Sequence, residues 1–252
     1  MKKIIAIFLV LIVIFSITNC DEENVVTPSE PGNIYLESTP DSAQIWVDGV
    51  NSNKITPDTI TALDAGNYGI TLKLADYFDS TFTVTVNEGQ TTSRSVTLTS
   101  NLFLTFYGQT AIRIYETAGT TASQPSGLDL SSGNAYGVSG TDKDKVDVYY
   151  SSSGYLVQSA HLNTTNGLTR RTYFRVSIST NLSDGVDSPL RSSGTWNESM
   201  GDRESNYVFL YDEDGHYTKL KIVGWGGGGG PGDPAYLDLQ WWYNETTDDV
   251  RF

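Results

Sequence analysis

The chain has 252 residues, of which 38% are hydrophobic and 18% are charged, a composition typical of folded globular proteins. Asp and Glu outnumber Lys and Arg by 30 to 16, and the net charge of −14 opposes binding to nucleic-acid phosphates or anionic lipid headgroups. One cysteine and two histidines are too few for an internal disulfide, a cysteine-rich zinc site or an iron–sulfur cluster.

The amino-terminal segment has the pattern of an export signal. Lys2 and Lys3 precede an uncharged, mostly aliphatic run over residues 4–17. A membrane-spanning helix needs roughly 20 apolar residues, so this run is too short to cross a bilayer. We therefore predict a signal peptide over residues 1–19.

The residues that end this run, Ile17-Thr18-Asn19-Cys20, resemble the lipobox of bacterial lipoproteins. The resemblance implies that Cys20 becomes the lipid-bearing first residue of the mature protein, held at a membrane by its acyl chains. We expect a lipidated tether over residues 20–33 and a protein anchored in the cell envelope, at the outer membrane. The acidic run Asp21-Glu22-Glu23 resembles the surface-export signals of Bacteroidota lipoproteins, but it also fits inner-membrane retention or a solvated tether.

Residues 34–99 alternate between apolar and polar side chains in short segments that are separated by turn residues. Alternation of this kind is typical of half-buried antiparallel strands. We predict a small all-β sandwich. The alternating apolar positions are Ile34, Leu36, Ile45, Val47, Ile70, Leu72, Leu74, Phe82, Val84 and Val86.

Residues 34–99 also carry short motifs in the order of the PEGA domain. The segment resembles that family, with Asp41 and Ser42 where the naming motif has Glu and Gly. The resemblance implies a surface-exposed interaction or spacer module without catalytic residues. Independently, Asp48-Gly49 predicts a tight turn between two strands. The motifs are Ser38-Thr39-Pro40-Asp41-Ser42-Ala43, Val47-Asp48-Gly49, Thr56-Pro57, Ala65-Gly66-Asn67-Tyr68 and Tyr77.

Residues 101–252 are numerous enough for a second domain, because domains usually contain roughly 100 to 200 residues. We predict a larger antiparallel β-domain, with a long surface loop over the aperiodic residues 117–137. Asp212-Glu213-Asp214-Gly215 predicts a hairpin turn, which makes the last three strands a meander. The predicted strands are residues 102–107, 111–115, 146–150, 173–178, 207–211, 217–223 and 236–243.

Parts of the second domain resemble the HmuY-type family of Bacteroidota surface lipoproteins. The similar segments are residues 144–150, 214–222 and the aromatic strand 237–243. The resemblance implies an all-β fold, and haem as a ligand, because some members bind haem through His or Met side chains. His216 stands where the family usually carries Lys, so no ligand position is carried over by motif.

Haem is the one candidate cofactor, and three side chains could contact its iron. They are His161, His216 and Met200, the soft axial ligands that remain after removal of the signal peptide. The alternative is that both histidines are ordinary surface residues. Acidic groups near residues 142–147 and 212–214 lack the spacing of a calcium-binding loop, and we predict no metal site.

Tryptophan side chains offer a second chemistry, the stacking of sugar rings. In the last predicted strand, alternation places Trp241 on the apolar face and Trp242 on the polar face, so Trp242 is the candidate glycan platform. Residues 224–229 match the pattern G-x-G-x-x-G, but a loop and a strand follow instead of a helix. We therefore predict a loop there and not a dinucleotide site.

The chain lacks the G-x-S-x-G, H-E-x-x-H and P-loop motifs, and we predict no enzymatic activity. Two functions remain open. One is a lipid-anchored cell-envelope protein that binds haem. The other is an adhesion or scaffold module that contacts glycans or other envelope components. The expected partners are the membrane through the lipid anchor, a haem or glycan ligand and an unidentified envelope protein, but not nucleic acid.

Overall fold

The computed structural model describes residues 29–118, 121, 123–230 and 232–252. The predicted signal peptide, Cys20 and the tether up to residue 28 lie outside these residues. In the described part of the chain, no helix has the length and hydropathy that a membrane crossing requires. Its helices are two short 3₁₀ turns, Lys143–Lys145 and Ala160–Leu162, and strands form the rest of the regular structure. The prediction of an all-β protein is confirmed.

Contacts between residues divide the chain into two compact units. Unit 1 contains the described part of Met1–Leu72 together with Ser80–Thr97. Unit 2 contains Lys73–Asp79 together with Leu98–Phe252. The segment Lys73–Asp79 lies within the predicted first domain, but it is grouped with unit 2.

The strands of unit 1 in chain order are β1 (Gly32–Thr39), β2 (Gln44–Val47), β3 (Val50–Ile55), β4 (Asp58–Leu63), β5 (Gly66–Lys73), β6 (Ser80–Val86) and β7 (Thr91–Thr97). They form one sheet in the order β4-β1-β7 and a second in the order β3-β2-β5-β6. The β1–β4 pair is antiparallel, whereas the β1–β7 pair is parallel. The alternation of apolar and polar residues predicts the strands, but it does not distinguish parallel from antiparallel pairing.

Both sheets of unit 1 bury their alternating apolar side chains. Ile34 and Leu36 of β1 are fully buried, as are Ile45 of β2 and Ile70 and Leu72 of β5. Each sheet therefore has one apolar face, as a sandwich requires.

The predicted turn between β2 and β3 is confirmed. Asp48 and Gly49 have φ angles of 47° and 80°, and Val47 and Val50 pair on either side of them. Two consecutive residues with positive φ are what a tight two-residue hairpin turn needs.

The strands of unit 2 in chain order are β8 (Leu104–Tyr115), β9 (Gly127–Leu128), β10 (Ala135–Tyr136), β11 (Val148–Ser151), β12 (Leu156–Ser159), β13 (Tyr173–Val176), β14 (Ser199–Gly201), β15 (Val208–Tyr211), β16 (Tyr217–Gly226) and β17 (Tyr236–Asn244). They form two five-stranded sheets, in the orders β10-β9-β11-β12-β14 and β13-β15-β16-β17-β8. The pairings are antiparallel, and the predicted meander of β15, β16 and β17 is confirmed.

The two sheets of unit 2 share one core. Val148 and Val157 from the first sheet are buried in the same cluster as Leu220, Leu239 and Trp241 from the second. The burial of these apolar faces against each other supplies the main favourable free energy of the fold.

Two predictions about unit 2 are corrected. The sequence predicts separate strands at residues 102–107 and 111–115, but residues 104–107 and 111–115 belong to one strand, β8, that runs through Gly108. Gly108 has a φ of +91°, and the pairing between β8 and β17 changes register beside it. The predicted surface loop at residues 117–137 is wrong at residues 126–130, because β9 pairs with β11 and Leu128 and Leu130 enter the core. It is also wrong at Ala135 and Tyr136, which form β10 and pair with β9.

Candidate functional site

Trp241 and Trp242 lie on opposite faces of β17, as alternation predicts. Trp241 is fully buried, and its indole N–H donates a hydrogen bond to the Leu130 carbonyl at 3.0 Å. Trp242 is half-buried on the outer face, where it pairs in register with Lys219 and Phe106. The centroids of the Trp242 and Phe106 rings are 4.8 Å apart.

Trp242 lines a cleft of about 200 Å³ whose wall is mainly apolar. The charged group in this wall, Lys219, is fully buried, and its Nζ is 2.5 Å from Asp184 Oδ1. Burial alone would raise the pKa of Asp184, but hydrogen bonds, the first from Lys219, hold it at about 2. The Lys219 charge is therefore already neutralised. The cleft offers an aromatic face but few groups that could bond to sugar hydroxyls.

The three candidate haem contacts have different surroundings. Met200 lies in β14 and is buried in the core of unit 2. The His161 ring has Nδ1 2.7 Å from Ser159 Oγ and Nε2 3.5 Å from Glu198 Oε2. None of the clefts described in this section is lined by these residues.

His216 lies in the predicted hairpin turn between β15 and β16. Its Nδ1 is 2.9 Å from the Asn244 carbonyl oxygen, and its ring stacks on Tyr243 with centroids 5.2 Å apart. A carbonyl oxygen can only accept a hydrogen bond, so Nδ1 is the donor and Nε2 is the remaining acceptor nitrogen. Among the described residues, no group of three or more His, Cys, Asp or Glu side chains is placed to hold a metal ion.

The strongest candidate site is a polar groove at the turn between β11 and β12, which we call the Tyr155 groove. It consists of two adjoining clefts of about 370 and 330 Å³ that share Tyr155 and Gly228. Four separate segments of unit 2 form its walls. The wall residues used below are Glu116, Tyr150, Tyr155, Asp202, Arg203, Gly227, Gly228 and Asp233.

Tyr155 is held in place by the backbone of its turn. Gly154 and Tyr155 have φ angles of +77° and +52°, and the Tyr155 carbonyl accepts a hydrogen bond from the Asp202 N–H at 3.2 Å. The Tyr155 side chain is 46% exposed. The turn therefore presents an aromatic ring to solvent at the mouth of the groove.

Asp202 and Arg203 follow β14 and supply the charged wall. The Tyr150 hydroxyl donates a hydrogen bond to Asp202 Oδ2 at 2.9 Å, and burial together with this contact raises the pKa of Tyr150 well above its usual value. The Arg203 guanidinium lies 5.1 Å from the centre of the Trp225 ring, and the Trp225 side chain is 51% exposed. A second exposed aromatic ring is thus held beside the groove by a cation–π contact.

The glycine-rich loop between β16 and β17 forms the opposite wall, and the prediction that a strand follows it is confirmed. The predicted loop over residues 224–229 is corrected at residues 224–226, which end β16 and pair with β17. Gly227 has a φ of +70°, and a Cβ atom there would be 2.2 Å from the Pro234 carbonyl oxygen. The Gly228 N–H donates a hydrogen bond to the Asp233 carbonyl at 2.8 Å. The loop therefore requires glycine at position 227, because a side chain there would collide with the Pro234 carbonyl oxygen.

Sequence reasoning missed most of this groove. The glycine-rich pattern at residues 224–229 includes Trp225, but Glu116, Tyr155 and Asp202 lie in segments without a motif. An exposed Tyr after Gly154 in a short hairpin was the available local signal. The pairing of β11, β12 and β14 brings Tyr155 near Asp202, and the pairing of β8, β16 and β17 brings Glu116 near the loop that carries Asp233.

Comparisons with known proteins bear on unit 1. No curated protein sequence matches the chain significantly. Residues 31–101 match the protein-family model described as the PEGA domain, which confirms the resemblance predicted for residues 34–99.

Proposed function

We propose that this protein is a non-enzymatic, lipid-anchored protein of the bacterial cell envelope that binds a glycan in the Tyr155 groove. The observation that carries the proposal is the exposed Tyr155 ring in a groove that Asp202 and Arg203 also line. A second exposed ring, Trp225, lies under the Arg203 guanidinium outside the two clefts. Sugars present apolar ring faces and many hydroxyl groups. A site with aromatic faces and convergent polar groups complements both.

The envelope location is supported by two features. The segment that ends at Cys20 resembles a lipoprotein signal, and the PEGA match to residues 31–101 agrees with an envelope-associated module. In this arrangement, the residues between Cys20 and the start of β1 at Gly32 would tether the folded units to a membrane. The acidic chain needs no basic surface for attachment, because acyl chains supply it.

Haem is the other ligand that the sequence suggests, because residues 101–252 resemble the HmuY-type family. Met200 is in the core, and both His161 ring nitrogens face protein groups. His216 retains one acceptor nitrogen, but it lines neither cleft of the Tyr155 groove. A glycan therefore has more support from the structure than haem.

The test is a binding screen on the purified protein with neutral, amino and acidic oligosaccharides, followed by calorimetry on the positives. We expect Tyr155→Ala to weaken binding about tenfold, which corresponds to about 1.4 kcal/mol. Trp225→Ala should have a smaller effect, because Trp225 contacts Arg203 but does not line either cleft. Phe103→Ala is the matched control, because Phe103 is 48% exposed in the same unit but does not line the groove.

Three results would count against the proposal. Equal binding by Tyr155→Ala and the unsubstituted protein would remove the groove as the site. If no oligosaccharide of the panel bound, the proposal that the ligand is a glycan would be rejected. Release of new reducing ends from a bound oligosaccharide would show that the protein is an enzyme.

A further inference from the structure

We infer that the Tyr155 groove selects a glycan that carries free amino groups, and this inference rests on the proposed glycan-binding function. Three carboxyl groups line its two clefts, those of Glu116, Asp202 and Asp233. Among the described lining residues, Arg203 is the one cationic side chain. The groove thus has a formal charge of −2, which favours a cationic ligand over a neutral or acidic one.

Arg203 is already engaged and leaves two carboxylates without a cationic partner. Its Nε is 3.6 Å from Asp202 Oδ2, and its guanidinium lies over the Trp225 ring. Arg203 can therefore offset the charge of Asp202, but Glu116 and Asp233 stay uncompensated. Asp233 is exposed, and its Oδ2 accepts a hydrogen bond from the Gly229 N–H at 3.3 Å.

Glu116 is the residue that points most directly to a ligand. It is 8% exposed, and its Oε1 accepts a hydrogen bond from the Ala235 N–H at 2.8 Å. Its Oε2 receives no hydrogen bond from the residues that the structure describes, although the side chain lines the cleft. This oxygen is not closed off from solvent, so water can hydrate it in the free protein, and a ligand ammonium group could replace that water with a charge-assisted hydrogen bond.

The same groups disfavour other ligands. A uronic acid or a phosphorylated sugar would place its own negative charge against Glu116 and Asp233. An N-acetylated sugar could stack on Tyr155, but it would bring no charge to Glu116. A divalent cation is less suited, because no cluster of three acidic or histidine ligands exists in the described part of the chain.

The test compares three trisaccharides by calorimetry at low ionic strength and at a pH where sugar amines are protonated. The trisaccharides are those of glucosamine, N-acetylglucosamine and galacturonic acid. We expect the glucosamine trimer to bind about tenfold more tightly than its N-acetylated form, as one charge-assisted contact allows, and the galacturonate trimer to bind weakest.

Glu116→Gln keeps an oxygen that can accept the Ala235 hydrogen bond but removes the charge. It should weaken glucosamine binding about five- to tenfold and leave the N-acetylated trimer unaffected. Asp142→Asn is the matched control, because it removes one negative charge on a half-exposed side chain that does not line the groove.

Equal affinity for all three trimers, or equal effects of Glu116→Gln and Asp142→Asn, would overturn the inference. The proposed function would stand in that case if Tyr155→Ala still weakened binding of each trimer. If none of the trimers bound and the wider oligosaccharide panel was also negative, the proposed function and the inference would fall together.

Discussion

Asp147 and Arg170 form a buried ion pair in unit 2, with Arg170 Nε 2.7 Å from Asp147 Oδ1. Asp147 is 1% exposed, and its Oδ2 accepts a hydrogen bond from the Leu130 N–H at 2.9 Å. Arg170 also contacts Asp214 Oδ2 in the turn between β15 and β16. Arg170 thus links the segment before β11 to the predicted hairpin turn.

Arg170→Ala should destabilise the protein strongly at pH 8, where Asp147 is ionised in the folded protein. The substitution leaves Asp147 buried without its cation, a change that typically costs about 3–5 kcal/mol. Urea unfolding followed by tryptophan fluorescence measures the loss. Lys145→Ala breaks the exposed pair with Asp142, and it should cost no more than about 1 kcal/mol. Equal losses for the two variants would show that burial does not decide the strength of the Asp147 pair.

The stability of the protein should depend on pH through Asp147. Burial raises the pKa of Asp147 to about 7 against the opposing effect of Arg170, and burial also raises the pKa of Asp212. The folded state therefore holds more protons than the unfolded state between the ordinary carboxyl pKa and about 7. Within that window stability falls as pH rises, because folding then requires a buried carboxyl to be ionised.

Unfolding free energies measured from pH 4 to pH 8 test this dependence. Asp147→Asn should flatten the part of the profile below pH 7, since it removes the titrating group. The cost of Arg170→Ala should also be larger at pH 8 than at pH 5, because the carboxyl is protonated at the lower pH. A profile that rises with pH in the same window, or one unaffected by Asp147→Asn, would contradict the assignment.

Gly227→Ala should damage both stability and the Tyr155 groove. Its backbone has a positive φ, and the added methyl group would collide with the Pro234 carbonyl oxygen. We expect a loss of more than about 2 kcal/mol, above the roughly 1–2 kcal/mol that positive φ alone costs a residue with a Cβ atom. Gly185→Ala is the control for that strain, because Gly185 has a φ of +67° and open space around it. Thermal unfolding of the two variants should differ clearly, and identical shifts would argue against the collision.

Added haem should keep the absorption spectrum of free haem in the presence of the protein. None of the three candidate ligands lines the Tyr155 groove. Met200 is buried in the core, both His161 nitrogens face protein groups, and only Nε2 of His216 has no hydrogen bond to a described residue. A titration followed at the Soret band measures this directly. A saturable shift that is weakened by His161→Ala or His216→Ala would support the haem function implied by the HmuY-like resemblance.

Local sequence patterns predicted much of the fold. The alternation of Ile34 and Leu36, or of Trp241 and Trp242, gave the buried and the solvent-facing sides correctly, because side chains of a strand alternate between its faces. Asp48-Gly49 predicted its turn, because few other residue pairs accept two positive φ angles at low cost. Leu128 and Leu130 were misassigned to a loop, because a strand of two residues is too short to show a period.

The candidate site could be predicted less well from the sequence than the fold. Strand periodicity and turn chemistry are local properties, so the amino-acid sequence by itself determined the β-rich class, most strand positions and the turn residues. The intervals from each residue to the next in the set Glu116, Tyr155, Asp202 and Asp233 are 39, 47 and 31 residues, and no spacing rule relates them. Only the tertiary structure decided that they line one groove, because long-range strand pairing brings their segments together and leaves their polar groups facing the same space.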